Sequence, residues 1–492
     1  MSANAIHRLM TLAAVVVTTS CIGAEPVKEF SLVYNVNNAG YVDVCGCKKK
    51  EVRQGSLTRR ASFLKQLRTT GRQICLLDGG SSLFAIKDNL KEHEREEAIR
   101  KAQLIVESYN RMGYKAMAIG PFDLAGGLDT LRDLEKKAEF VFLSANLVDG
   151  NTGELYFKPS VVLEAGGVRL GVIGLTLSTL NKKYLAKVAP NMKVLDPFEA
   201  AKKYLAELQG KVDLVVALSH LRQENNIKLV SELKELEILL DPYIEYGNHH
   251  TWIKEHEWLD FKDETVFLRT DGQGARLGVL DIKFHTPRVK LADAARILEL
   301  EEAVESKEAT ADENKELELS RGKNVLQFQR VSIEPHHRSD PEIDLLVEEW
   351  KKGINPSDVA RLEGRLPNKE DFLTVAKCQT CHEKQYDNWK KTKHSHAMAS
   401  LVETGDEHRY DCVGCHSLGY GEAYLDTSKI DSYAEVQCES CHGTNPKHLE
   451  APEEYTFGRV KRSDCLVCHN KEQTRTEFSF ATAKAKIQCP KS

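Results

Sequence analysis

Four copies of one short pattern stand in the last quarter of the chain: CQTCH at Cys378–His382, CVGCH at Cys412–His416, CESCH at Cys438–His442 and CLVCH at Cys465–His469. Residue type and spacing together specify a chemistry. Two thiols three positions apart can each add to one vinyl group of the same porphyrin. The His that follows then lies against the iron as an axial ligand, which is the attachment pattern of c-type haem. Paired C-x-x-C segments also build tetrahedral zinc sites, but zinc does not require a His after every pair. With 17 His among 492 residues, four such placements by chance have a probability on the order of 10⁻⁶. The pattern calls for four covalently bound haem c groups. Their attachment points are Cys378, Cys381, Cys412, Cys415, Cys438, Cys441, Cys465 and Cys468, and His382, His416, His442 and His469 are the first axial ligands.

These motifs use eight of the 13 Cys and leave Cys21, Cys45, Cys47, Cys75 and Cys489, which is not the even, distributed pattern of a disulfide scaffold. VCGCKKK sets Cys45 and Cys47 one residue apart, directly before three Lys. Adjacent positive charge lowers a thiol's pKa. The pair reads either as redox-active or sulfur- or metal-binding thiols, or as a local disulfide or two idle thiols. Cys75 reads as a buried core residue. His249, His250, His336 and His337 read as surface loop residues rather than ligands.

A chain this long suggests about three units. The formal net charge of −5 argues against a nucleic-acid partner, which would call for a basic face. Residues 1–24 read as an export signal: Arg8, an apolar run Leu9–Val17 too short to span a bilayer, and a cleavage position after Ala24. Lipidation of Cys21 is the alternative, with Thr18 where a Leu is usual. A periplasmic or otherwise exported location suits haem attachment, which takes place outside the cytoplasm. Membrane association is expected only through Cys21.

The elements that must position these residues fall into three parts. From 25 to 287, short apolar runs alternate with helical periodicity. Strands are expected at Phe30–Val36, Gln73–Leu77, Ala116–Ile119, Phe140–Leu143, Val168–Leu175 and Val212–Leu218, and helices at Ser56–Arg68, Glu97–Arg111 and Leu128–Lys136. This alternation implies a layered α/β domain with a largely buried sheet. Residues 288–368 read as a helical linker, with a Glu-, Lys-, Ala- and Leu-rich helix or helical hairpin over 289–323 and a second helix at Pro341–Ile354. Residues 369–492 show little periodicity and are expected to be mostly α and irregular, held together by haem packing.

The 25–287 segment resembles the metallophosphoesterase domain of periplasmic 5′-nucleotidases. SLVYNVNNAGY stands where that family has its first strand and metal motif, GSLTRRASFLKQLR at its Gly-Gly-Leu-Ala-Arg-Arg helix start, and CLLDGGSSLF at the second metal motif. AIGPFDLAGGLDTL stands at Gly-Asn-His-Glu, VVALSHLR at the Ser-His motif, and TDGQGARLGVLDI at the closing strand pair. The resemblance implies the fold. It does not carry the dimetal chemistry across. Asn37 and Ala39 replace the first Asp and His, Ser81 the bridging Asp, and Pro121 and Phe122 the Asn and His. Tyr243 replaces a late His within Pro242–Glu245, and His220 alone survives clearly. Ala, Pro and Phe cannot ligate a hard dication, so neither a dimetal centre nor phosphoesterase turnover is expected.

Residues 372–492 resemble the nitrifier-type tetrahaem c cytochromes, through CQTCHEKQYDNWKKTKHSHAMASL, CVGCHSLGYG and VQCESCHGTNPKH. The resemblance implies that His394 and His448 are distal haem ligands, with His396 and His408 as weaker candidates. The family's later distal His has no counterpart, since no His follows His469. Cys489 stands in that tail as a candidate thiolate ligand or a free thiol. The expectation is an exported multihaem electron-transfer protein whose nucleotidase-like domain serves for binding or docking. Its partners would be other cytochromes or a quinol oxidoreductase. The rival readings are a metallophosphoesterase with an accessory cytochrome, and a redox enzyme acting on a small nitrogen or sulfur compound.

Overall fold

A computed structural model describes residues 27–43, 55–85, 90, 92–177, 182–242, 258–270, 272–334, 336–352, 366, 372–469 and 478–490. The expected export signal, Cys21, Cys45, Cys47, Tyr243, His249 and His250 lie outside the described residues. Among the described residues no helix is long and apolar enough to cross a membrane.

The α/β part is built on two facing sheets. The first has seven strands in the order β14-β15-β13-β1-β2-β3-β4, and the second has six in the order β11-β12-β10-β9-β7-β6, with β11 (Leu259–Lys262) and β6 (Ser160–Ala165) at its edges. Strand β1 (Lys28–Asn35) runs parallel to β2 (Ile74–Asp78), which pairs in parallel with β3 (Ala116–Ala118) and so on to β4 (Val141–Leu143). In the second sheet β7 (Val168–Leu175), β9 (Leu214–Ser219), β10 (Ile238–Leu240) and β12 (Thr265–Leu268) are parallel neighbours.

Successive side chains on a strand point to opposite faces, and here both faces are covered. Leu32, Tyr34, Cys75 and Leu77 turn inward to meet Leu170, Val172, Leu214, Val216 and Ile238 of the other sheet. Val33, Leu76 and Met117 turn outward against α1 (Leu57–Arg68), α2 (Glu92–Met112) and α3 (Leu128–Lys137). Val215, Ala217 and Leu239 face outward from the second sheet onto α5 (Pro197–Leu208) and α6 (Gln223–Glu232). The short α4 (Lys182–Val188) precedes them. The result is four layers, helix–sheet–sheet–helix, and it explains why these strands read as near-continuous apolar runs.

The stretch read as a helical linker departs from that expectation. It does contain a helical hairpin, α7 (Ala294–Glu305) and α8 (Ala311–Ser320). The hairpin, however, joins β14 (Leu291–Asp293) to β15 (Asn324–Ser332), and β15 lies antiparallel along β13 (Arg276–Phe284) from Arg276 to Lys283. Helix α9 (Pro341–Lys351) buries Ile343, Val347 and Trp350 in the same apolar layer as α1 and α2. Polar residues alternating along β15 hid the strand: it is at the solvent-facing side of the sheet, where only every second position need be apolar.

The C-terminal part has no sheet of this kind among its described residues. It consists of short helical turns at Val375–Gln379, Glu383–Trp389, Tyr410–His416, Glu439–His442 and Arg462–Leu466.

Candidate functional site

Three of the C-x-x-C-H motifs close a helical turn on themselves. The His382 amide donates to the Cys378 carbonyl at 3.0 Å, His442 to Cys438 at 3.1 Å and His469 to Cys465 at 2.8 Å. The second motif lies inside its own helix. In a helical turn, positions i, i+3 and i+4 share one face, so both thiols and the imidazole are presented together. Local helix geometry thus delivers what haem attachment needs.

Two of the motif histidines also face a His from outside the motifs. The His382 and His448 rings lie 6.0 Å apart between centroids, at 18° between planes, and the His394 and His469 rings 6.1 Å apart at 45°. The His448 Nδ1–H donates to the Tyr455 carbonyl at 2.7 Å, and the His416 Nδ1–H to the Ala397 carbonyl at 2.6 Å. A carbonyl acceptor at Nδ1 fixes the tautomer that leaves Nε2 free to ligate. Burial lowers the pKa of both His394 and His469, with a further contribution at His394 from His469 itself. The shift favours the neutral imidazole, the form that binds iron. The donor set and its spacing fit haem. His396 is exposed, and His408 Nδ1 lies 2.8 Å from Thr427 Oγ1.

Two side chains that sequence reading passed over hold the first motif against the third. Gln437 Oε1 accepts from Val375 N at 2.6 Å, and Glu439 Oε2 accepts from Leu373 N at 2.6 Å. Trp389 Nε1 donates to the Val436 carbonyl at 2.8 Å, and the Val436 amide to the His394 carbonyl at 3.0 Å. A buried polar residue at a motif cysteine's flank was the available signal. The tail holding Cys489 packs on the helix after the first motif, through Gln385 to the Pro490 carbonyl and Asn388 to the Gln488 carbonyl. Cys489 lies near enough to Cys438 and Cys441 of the third motif to help raise their pKa values, and burial raises its own, which favours thiol over thiolate. The ring facing His469 is that of His394.

The second site to consider is the crevice beyond the carboxyl ends of β1, β2, β3, β9 and β10, where ligands bind in open α/β sheets. Asn37, Ala39 and Ser81 sit there with φ of 51°, 53° and 54°, a left-handed conformation that costs non-Gly residues energy and clusters at functional sites. Asn37 Nδ2 donates to the Pro242 carbonyl at 2.8 Å. Pro121 and Phe122 are buried in the 3₁₀ turn Pro121–Leu124. His220 is 3% exposed, and neither ring nitrogen makes a hydrogen bond of good geometry. Burial lowers its pKa to about 4, with the backbone of Gly79 and Gly80 opposing in part. A Cβ at Gly120 would stand 2.1 Å from Ser81 Oγ and 2.6 Å from His220 Nε2, so only glycine fits there.

Three carboxylates stand at this crevice, and all are already committed: Asp241, directly after β10, pairs with Arg269 and accepts from Asn226 Nδ2, both at 3.2 Å. Asp123 accepts the backbone amides of Ser81, Ser82, Leu83 and Gly120 at 2.7 to 2.9 Å. Asp78 accepts Asn35 Nδ2 and the Tyr109 hydroxyl, both at 2.7 Å, as well as Ser82 Oγ. The buried Arg60 completes that network by donating to the Tyr109 and Tyr114 hydroxyls and to Asn38. Among the described residues no three His, Cys, Asp or Glu side chains converge as a metal site. A pair of divalent cations needs several convergent oxygen or nitrogen ligands, and these residues do not fit one.

Comparison with known proteins finds both halves separately. Residues 377–443 match the family model described as cytochrome c554 and c-prime. A 5′-nucleotidase of Vibrio cholerae is 31% identical over 150 residues, 30% of this chain and 27% of that protein. Protein UshA of Escherichia coli is 32% identical over 151 residues, 30% of this chain and 28% of that protein. The chain thus spans less than a third of the length of these curated relatives. Among solved structures, the sulfate thiohydrolase SoxB of Thermus thermophilus is 12% identical with a TM-score of 0.50, over 71% of this chain and 63% of that one. That likeness is one of fold. A segment similar to the c554 cytochromes therefore follows an α/β part similar in sequence to 5′-nucleotidases.

Proposed function

We propose that this protein is an exported multihaem c-type cytochrome that transfers electrons, its nucleotidase-like part serving for binding or docking rather than hydrolysis. The observation that carries the reading is the pairing of two motif histidines, His382 and His469, with the rings of His448 and His394. Two imidazoles facing one metal at about 2 Å each leave their centroids roughly 6 Å apart, the spacing of His382 with His448 and of His394 with His469. His448 and His394 would then be the second ligands of the first and fourth haems. Bound haem supplies reversible one-electron chemistry, and two nitrogen ligands suit it to electron transfer. Around it the chain would attach the porphyrin through the eight Cys, orient the His416 and His448 imidazoles through their carbonyl partners, and bracket the first and third motifs with Gln437 and Glu439. Redox partner proteins in the same compartment would supply and remove the electrons.

Pyridine haemochrome analysis and intact mass of the purified chain test the reading. The expected result is four covalent haems, and fewer under full maturation would contradict it. The same preparation, given Mn²⁺, Zn²⁺ or Mg²⁺ and a nucleotide, should release no phosphate. Metal-dependent release that His220→Ala abolishes would replace this reading with a hydrolase.

A further inference from the structure

Glu439 occupies the second position of the third motif, where the other three carry Gln379, Val413 and Leu466. It is 4% exposed. Its carboxylate is held by two backbone amides, Leu373 N at 2.6 Å and Asn445 N at 3.4 Å. Among the described residues no cation contributes to its ionisation. Burial pushes its pKa up to about 7, with those two amides opposing. The titratable group that senses it from the first motif is Cys378, and on its own turn the neighbours are Cys438 and Cys441. All three become uncharged thioethers once haem is attached. The carboxylate's charge is thus left to interact with the iron held by His442.

We propose that Glu439 couples proton uptake to electron uptake at the haem of the third motif. The proposal rests on the reading that this motif carries haem. A buried carboxylate stabilises the more positive, oxidised iron, and reciprocally the reduced iron favours the protonated acid. On reduction, one electron enters from an external one-electron donor and one proton enters from water onto the carboxylate. On oxidation both leave.

The test compares the parent and Glu439→Gln as full chains carrying four haems, by potentiometric titration from about pH 5 to about pH 9, spanning ordinary and raised carboxyl pKa values. Gln keeps an acceptor for the Leu373 amide and removes the charge. In the parent, one component of the titration should fall as pH rises through neutrality. In Glu439→Gln that component should be flat, coinciding with the parent at the acid end and lying above it at the alkaline end. The same slope in both, or an offset equal at every pH, would overturn the proposal. Should the variant fail to take up its third haem, the redox-difference infrared spectrum of the parent decides. A protonated-carboxyl band that appears on reduction and shifts in deuterium oxide supports the proposal, and its absence overturns it. A parent with no haem on the third-motif peptide fails the underlying reading, and the proposal with it. Four haems with pH-independent potentials fail the proposal alone.

Discussion

The two parts of this chain hold themselves together by different means. In the α/β part, period-2 alternation along β1, β2 and β9 feeds three apolar layers, one between the sheets and one under each set of helices. In the C-terminal part the buried apolar cluster is Met398, Leu401, Val413, Ala423 and Tyr424, while the motif cysteines stay at intermediate exposure or beyond. The first part buries enough surface to fold from its own side chains. The second is a scaffold of short helices whose missing apolar bulk the porphyrins would supply. The sharpest way to break this contrast is Cys438→Ser with Cys441→Ser. One haem should be lost by mass, and limited proteolysis should digest residues beyond 372 while leaving the α/β part intact. Uniform resistance of both parts would mean that the C-terminal fold does not depend on its haem.

A smaller effect is expected where the scaffold remains and only an iron ligand goes. His394→Ala and His448→Ala should each convert one haem from low spin to high spin in low-temperature EPR, with four haems retained. If both variants keep the parent's spin-state ratio, His396 or His408 becomes the better ligand.

The contrast also explains what could be read without coordinates. Val168–Leu175 is expected as a strand with the limits it has, because a strand buried on both faces leaves a nearly continuous apolar run, here broken only by the exposed Arg169. The strand β15 escaped because NVLQFQRVS mixes polar and apolar residues at the sheet's exposed side. At the crevice, the substitutions at Asn37, Ala39, Ser81, Pro121 and Phe122 were legible one by one. That Asp78 and Asp123 are spent on Tyr109, Asn35 and backbone amides was not, since those partners are brought together only by the fold. In the C-terminal part the motifs were evident, but which His faces which depends on the path of the chain between them.

A third measurement probes the α/β part alone. His220 is buried neutral, with its pKa lowered to about 4 from an unfolded value of about 6.5. A depressed pKa contributes stability that is fully present above the unfolded value and is lost as pH falls through the folded one. Between about pH 6.5 and pH 4 the loss should approach about 3 kcal/mol. Urea unfolding followed at several pH values should show this decline in the parent and a flatter one in His220→Gln. Equal slopes would mean that the ring finds a proton partner the crevice does not display.

The smallest effect lies where the two parts touch. Lys351, at the end of α9, reaches Asp43 beyond β1 at 3.4 Å and Asp406 ahead of the second haem motif at 3.7 Å. The Arg409 guanidinium lies over the Trp350 ring at 4.9 Å and also pairs with Asp406 at 3.1 Å. Removing the Lys351 charge leaves Asp406 with Arg409, and Asp43 is 25% exposed, so neither carboxylate is stranded. Lys351→Met should therefore cost about 1 kcal/mol, the scale of a partly exposed ion pair, and not the several kcal/mol of an orphaned buried charge. The cost should fall on the coupling between the parts. Urea melts followed by haem absorbance and by far-ultraviolet circular dichroism should separate further in the variant than in the parent. If the two curves move together by the same small amount, Lys351 stabilises α9 alone, and the docking of the haem part rests on the Trp350–Arg409 contact.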